Sequence, residues 1–205
     1  MRYDADHKQR THEKVLMEAA NAIREFGPDK VGVAALMAKA GLTHGGFYAH
    51  FSGKDDLIAQ AVDCMFQERL ALLQEACEQL DPAEGLCHYI DLYLSPLHRD
   101  RRDRGCPVVA LSGDMARMPD LAKVRFEAGL VKMTSLIADL LRRLGTEQPE
   151  AMAMSLFTEM VGAMSVARAV ASQGHSKAIL DQAKASVKNR VGLHPVPKRK
   201  TSTKT

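Results

Sequence analysis

Apolar residues recur every three or four positions along most of the chain, and short polar or Gly/Pro-containing breaks divide the recurrence into helical lengths. Val15, Leu16, Ala19, Ala20, Ile23 and Phe26 form one face, closed by Gly27-Pro28, which predicts an amphipathic helix from about Arg10 to Phe26. A short set, Val33, Leu36, Met37 and Ala40, ends at Gly41, and a third element begins after Thr43 and ends near Phe51. Ser52-Gly53 then precedes a long helix from Lys54 to about Leu80, with Leu57, Ile58, Ala61, Met65, Leu72 and Leu73 along its inner side. Asp81-Pro82 opens a helix carrying Tyr89, Ile90 and Tyr93 to about Leu97, and "HRDRRDRGCP" comes next as a charged turn or loop. "PVVALSG" is a strand-like run, and one run cannot make a sheet. Leu130, Met133, Ile137, Leu140, Leu141 and Leu144 mark a further helix. Met152, Leu156, Phe157, Met160, Ala163, Met164 and Ala167 mark another, and two final long helices are expected over about Pro149 to Ala171 and Ser176 to Val191. The pattern predicts an all-α protein of about nine helices.

Within it, "AGLTHGGFYAHFSGKDDL" (residues 40–57) places Gly45 and Gly46 where the apolar spacing asks for a helix. Glycine in a helix interior costs about 0.8–1.0 kcal/mol relative to alanine, so the pair calls for a reason. Helix, Gly-containing turn and helix over residues 33–51 have the dimensions of a helix-turn-helix, whose second helix enters the major groove of DNA. Gly41 fits the turn and Thr43 the N-cap of the second helix, leaving its free N–H groups to face phosphate. His44, Gly45 and Gly46 form the first turn, which reaches base edges, and a residue without a side chain lets the backbone approach closely. Tyr48 and His50 add hydrogen-bonding groups on the exposed side, whereas Phe47 and Phe51, four residues apart, face inward. Lys54 heads the next helix where its ammonium can meet a phosphate. No acidic residue falls between Lys39 and Lys54, although residues 1–60 as a whole balance Lys/Arg against Asp/Glu.

Gly41-Leu42-Thr43 followed by Gly45, then Tyr48-x-His50-Phe51-x-x-Lys54-x-x-Leu57, resembles the TetR family of bacterial transcriptional repressors over about residues 10–57. The chain departs from the family pattern at Gly32, where Ser or Thr usually caps the second helix, and at Leu36-Met37, where Ile-Ala is common. The resemblance implies DNA contacts by Thr43, His44, Gly45, Tyr48, His50 and Lys54, to which the reading of the glycines adds Gly46. It further implies a DNA-binding helix-turn-helix domain over 1–54, an effector-binding and dimerisation domain over 55–192, and a homodimer on a near-palindromic operator. Residues 193–205 remain as a basic, disordered tail. The function implied is that of a ligand- or stress-responsive regulator, a repressor released from duplex DNA by a small-molecule or electrophile effector. In the second domain, Tyr89, Tyr93, Phe126, Phe157 and Met160 are candidates to line the effector pocket, because aromatic faces and deformable methionine suit an adaptable apolar site. Gly162, Ala163, Ser165 and Ala167 permit the close helix approach of a subunit interface.

The chain has 205 residues, 46% of them hydrophobic and 26% charged. Its net charge of +3 arises from the carboxy-terminal end, where the stretch from Lys184 onward holds seven Lys/Arg and no Asp/Glu. The global charge is therefore no argument for nucleic acid. The four cysteines (Cys64, Cys77, Cys87, Cys106) form no Cys-x-x-Cys pair, so neither a metal site nor a disulfide framework is indicated. A charged start without an apolar h-region and the lack of any long apolar run lead to the expectation of a soluble, cytoplasmic protein without a membrane segment. Gly27 to Gly32 has the Walker glycine spacing, but Val33-Ala34 stand where Lys-Ser/Thr belongs. With no Gly-x-Ser-x-Gly, no His-Glu-x-x-His and only isolated histidines at His88 and His98, no catalytic residue and no cofactor is assigned. The rival to a regulator is a helical protein-binding module without specific DNA recognition. Cys106 stands apart: Arg99, Arg101, Arg102 and Arg104 precede it, nearby cations favour thiolate, and the Gly-Cys-Pro stretch resembles a segment of TetR-like regulators that respond to reactive compounds. It is a candidate redox or electrophile sensor, against the alternative of a small core residue.

Overall fold

The computed structural model describes residues 2–193, in which nine α-helices and two short 3-10 segments occur and no strand. Residues 194–205, which hold nearly all of the expected basic tail, lie outside the described residues. The first helix, α1 (Arg2–Phe26), begins eight residues before the expected start and ends where Gly27, at φ +84°, accepts the left-handed conformation that stops a helix. Next come α2 (Val33–Lys39), a 3-10 helix over His44–Ala49, and α3 (Lys54–Gln79). The remaining helices are α4 (Pro82–Tyr93), α5 (Pro96–Asp100), α6 (Pro107–Met115), α7 (Asp120–Arg143), α8 (Pro149–Ala169) and α9 (Gln173–Arg190), with a second 3-10 turn at Arg102–Arg104. No helix among the described residues is long and apolar enough to cross a membrane.

Two sequence expectations change here. The helix expected to run to Leu97 breaks after Tyr93, because Pro96 forces the residue before it out of the helical region, and Ser95 turns that break into a new N-cap by accepting the His98 N–H at 3.1 Å. The strand-like "PVVALSG" is α6: Pro107 occupies the first turn, and Val108, Leu111 and Met115 are buried at helical spacing. A run this short satisfies both periodicities, and packing against α7 and α8 chose the helix.

The element that organises the rest is α3, about 39 Å long at 1.5 Å per residue. Its amino-terminal turns pack Leu57, Ile58 and Ala61 into a core shared with Val15, Ala19, Ile23, Met37, Phe47 and Phe51. Further along, Met65, Phe66, Leu70 and Leu73 belong to the core of the larger helical body. Against that half lies α7, closest at Gly129, where a side chain would begin inside the ring of Phe66. Phe66 is in turn edge-on to Phe126, with ring centroids 5.6 Å apart. The side chain of Arg24, on α1, is fully buried against α3: its Nη2 pairs with Glu68 at 2.5 Å and donates to the Met65 carbonyl, while Nη1 donates to the Asp103 carbonyl at 3.1 Å.

Replacing Gly129 by Ala is expected to destabilise the fold by about 1–3 kcal/mol, the usual cost of overpacking a filled site. Phe66→Leu should recover part of that loss in the double variant. Urea unfolding of the four proteins checks both statements, and strictly additive effects would contradict the contact.

Candidate nucleic-acid interface

The turn between α2 and the 3-10 helix is built by its backbone. Gly41 lies at φ +79°, its N–H donates to the Ala38 carbonyl at 3.0 Å and that of Leu42 to Met37 at 2.9 Å, the paired bonds of a Schellman motif. Glycine at 41 is therefore dictated by conformation. Lys14 of α1 donates to the Ala40 carbonyl at 2.9 Å and so fixes the end of α2 from the other side, which removes it from the basic residues available elsewhere.

Beyond this turn the chain forms a six-residue 3-10 helix rather than the α-helix that the apolar spacing suggested. Six residues are too few to repay α-nucleation, and two glycines add nothing to hold a wider turn. Thr43 occupies the N-cap position but makes no side-chain capping bond, so its hydroxyl stays on the surface. Phe47 and Phe51 are each 2% exposed and stack at 5.4 Å, as the spacing required, and His12 of α1 stacks on Phe51 at 4.8 Å. Opposite them, Thr43, His44, Gly45, Tyr48 and Lys54 are exposed, Gly46 and His50 partly so, and Tyr48 is 69% exposed with His44 edge-on to its ring at 6.5 Å. All seven expected contact residues thus lie on one short stretch around the solvent side of the 3-10 helix. His50 has its pKa lowered by partial burial and then by the neighbouring His12 and Lys8, which favours a neutral imidazole.

The glycines at 45 and 46 differ from Gly41 in kind. Neither has positive φ, an added Cβ at 45 meets nothing within 4 Å, and one at 46 makes only ordinary contacts at 3.7 Å with Met37 and Thr43. Nothing inside the chain requires either to be bare. Lys54 makes no ion pair among the described residues. Asp56, in the same first turn of α3, is turned to structural use: it accepts from Gln60 and from the Ser52 N–H and hydroxyl, bonds that hold its carboxyl below the usual range.

A cavity of about 460 Å³ opens between α3, α4 and the α5 segment, lined by Glu68, Arg69, Leu72, Leu92, Leu97, His98, Arg101 and Arg104. None of the five residues expected to line an effector pocket is among them. Tyr89, Tyr93, Phe157 and Met160 are core residues, Tyr93 being packed on Tyr89, His98 and Phe157, and Phe126 is spent against Phe66. Large aromatics lose most by facing water, so they fill the interior and leave the cavity to leucines and arginines. A signal for this was in the chain: Arg69 interrupts the apolar series Val62, Met65, Phe66, Leu73 at a position where a core residue belongs.

Cys106 is 1% exposed and forms the N-cap position of α6. The arginines expected to surround it are committed elsewhere: Arg99 to Asp100 and Ser176, Arg101 to Asp103, Arg102 to the Glu25 carbonyl and Arg104 to Glu68. Its backbone N–H donates to His98 Nε2 at 3.0 Å, so His98, left unassigned by sequence, is a structural residue.

Residues 15–61 match the family described as bacterial regulatory proteins, tetR family. An HTH-type transcriptional regulator of Mycobacterium tuberculosis is 30% identical over 105 residues, covering 51% of this chain and 53% of that protein, so the match spans about half the length of the curated relatives. Among solved structures, a TetR-family regulator from Agrobacterium tumefaciens aligns over 87% of this chain and 98% of its own, with a TM-score of 0.75 at 22% identity. The reduced form of NemR from E. coli aligns over 88% of this chain and 96% of its own, with a TM-score of 0.78 at 20% identity. These two likenesses show the fold, and the amino-terminal match shows which kind of protein carries it. With the helix-turn-helix geometry they identify the chain as a TetR-family DNA-binding transcriptional regulator.

Proposed function

We propose that this regulator is a repressor that binds a near-palindromic operator as a homodimer in the cytoplasm, and that it leaves the operator when a small molecule occupies the cavity beside Arg69. In this reading residues 1–54 read DNA and residues 55–192 sense the effector and dimerise. The observation that carries it is the Gly45-Gly46 pair: two glycines that no internal contact or dihedral requires, on the exposed side of a helix-turn-helix, flanked by Thr43, His44, Tyr48 and Lys54. Bare backbone that the protein itself does not need is explained by a surface that must come close to something else, and groove floor is what this motif approaches.

Dimerisation is supported by the outer faces of the last two helices. Thr158, Gly162, Ser165 and Ala169 of α8 and Ala178, Gln182 and Ala185 of α9 are exposed, uncharged and mostly small. One short recognition element also contacts too few bases for useful specificity, which two related by symmetry supply. Release from the cavity has a structural route. The segment 101–104, which forms one wall, is tied to the end of α1 by Arg24 to the Asp103 carbonyl and Arg102 to the Glu25 carbonyl, and α1 supports Phe51 through His12. A reversible ligand is favoured over chemical modification of Cys106, because that thiol is shut in the core and its arginine neighbours are engaged elsewhere.

An operator selected by the wild-type protein from a random duplex library provides the assay. Gly45→Ala should raise folding stability by about 0.4–1 kcal/mol, since alanine suits the backbone there and restricts the unfolded chain, yet weaken operator binding in fluorescence anisotropy; Gly45→Leu should abolish specific binding without unfolding the protein. Full operator affinity in either variant contradicts the role of the glycines. Lys54→Ala should lower affinity for all duplexes alike and reduce the slope of log K against log salt by about one, the signature of a lost phosphate contact. Gly162→Glu, which meets no steric obstacle within the chain, should convert a dimer to a monomer in sedimentation velocity and cost operator affinity together with it.

A further inference from the structure

The cavity wall is not chemically uniform, and its charges divide into those already spent and one that is not. The Glu68 carboxylate faces Arg24 at 2.5 Å and Arg104 at 3.8 Å, and Arg101 pairs with Asp103 at 3.2 Å. His98 is neutral. Its Nε2 accepts the Cys106 N–H at 3.0 Å, which leaves Nδ1 as the protonated nitrogen, donating to the Tyr93 carbonyl at 2.7 Å. Burial, together with the nearby Arg69 and Arg168, pushes its pKa down to about 3.

Arg69 is different. It is 6% exposed, and its Nε and Nη2 are closed off from solvent with no hydrogen-bond partner among the described residues. The side chain forms no ion pair with them either; the ring of Tyr93 lies 5.9 Å from its Cζ. A guanidinium cannot shed its proton to escape such a place. Nε–H and Nη2–H point the same way and form the edge that the two oxygens of a carboxylate match. Beside this cation the wall is apolar: Leu72, Leu92 and Leu97, of which Leu72 is 40% and Leu97 65% exposed. A buried unpaired cation at one end and uncovered leucines at the other describe an amphiphile with one negative charge, and about 460 Å³ is the space of a small molecule.

We propose that the effector is a small organic carboxylate, its charged end paired with the Nε–Nη2 edge of Arg69 and its apolar body laid against Leu72, Leu92 and Leu97. This rests on the reading of the cavity as the effector site. Pairing turns the guanidinium from the Tyr93 ring toward the cavity, where the incoming charge repels Glu68 and competes with it for Arg104. Both effects loosen the hold of Glu68 on Arg24, and so the attachment of α1, which supports the DNA-reading turn.

The test uses the full chain with octanoate and 4-phenylbutyrate, each against its uncharged amide, read as thermal stabilisation and as release of a labelled operator. Wild-type protein should bind each carboxylate at least tenfold more tightly than the amide and release the operator at the corresponding concentrations. Arg69→Met should abolish or reverse that preference, and Arg69→Lys should keep it with reduced affinity. Equal responses to acid and amide, or no response to either acid, overturn the assignment, and the wild-type comparison decides this even where a variant folds poorly. Carboxylates that bind with the stated preference yet leave the operator occupied would support the ligand chemistry and overturn the release reading. Amides that release the operator as well as the acids do the opposite.

Discussion

Phe66 and Gly129 meet where α3 and α7 cross, and the absence of a side chain at 129 allows that approach. The crossing fixes the position of α3, and α3 belongs to both ends of the molecule. Its first turns complete the core beneath the DNA-reading turn, and its later turns carry Phe66, Glu68, Arg69 and Leu72 to the body and the cavity. A helix is stiff over this length, so a displacement at Arg69 cannot be absorbed locally before it reaches Leu57 and Phe51. One element shared by two functions is a simpler transmitter than any chain of side-chain contacts.

The second attachment, Arg24 to Glu68, is of another kind. The pair sits where α1, α3 and the 101–104 turn converge, with the arginine fully enclosed and the carboxylate partly open. Buried ion pairs add little net stability because desolvation cancels most of the attraction, but breaking one leaves an uncompensated charge. Such a contact makes a poor glue and a good latch. Its acidic member is adjacent in sequence to Arg69, so the charge state of the cavity and the seat of α1 are electrostatically coupled over one residue of separation.

The two halves also differ in how their glycines are used. Gly41 and Gly129 are required from within, one by a left-handed dihedral and one by a neighbouring ring, whereas Gly45 and Gly46 are free of any such demand. A glycine explained by its own structure says nothing of function. One that is not so explained lowers the stability of its element for a reason outside the chain, and here that reason lies on the DNA side.

The helix-turn-helix was legible in the sequence because its determinants are local. Phe47 and Phe51 four residues apart, Gly41 after a short apolar set and Gly53 before a long one are constraints of spacing and backbone conformation, read within 25 residues. The seven contact candidates inherit their positions from that local order. The cavity was not legible in this way, because its wall joins residues from 68 to 104 whose adjacency depends on where α4 breaks and how α5 folds back. Aromatic bulk suggested Tyr89, Tyr93, Phe126, Phe157 and Met160, yet the demand to bury large apolar surface drew them to the core or its edge. The arginines near Cys106 in sequence likewise found carboxylates and carbonyls elsewhere. Periodicity decides what a segment will be and which side it hides; only the packed fold decides which charges find partners, and so which one, Arg69, is left without.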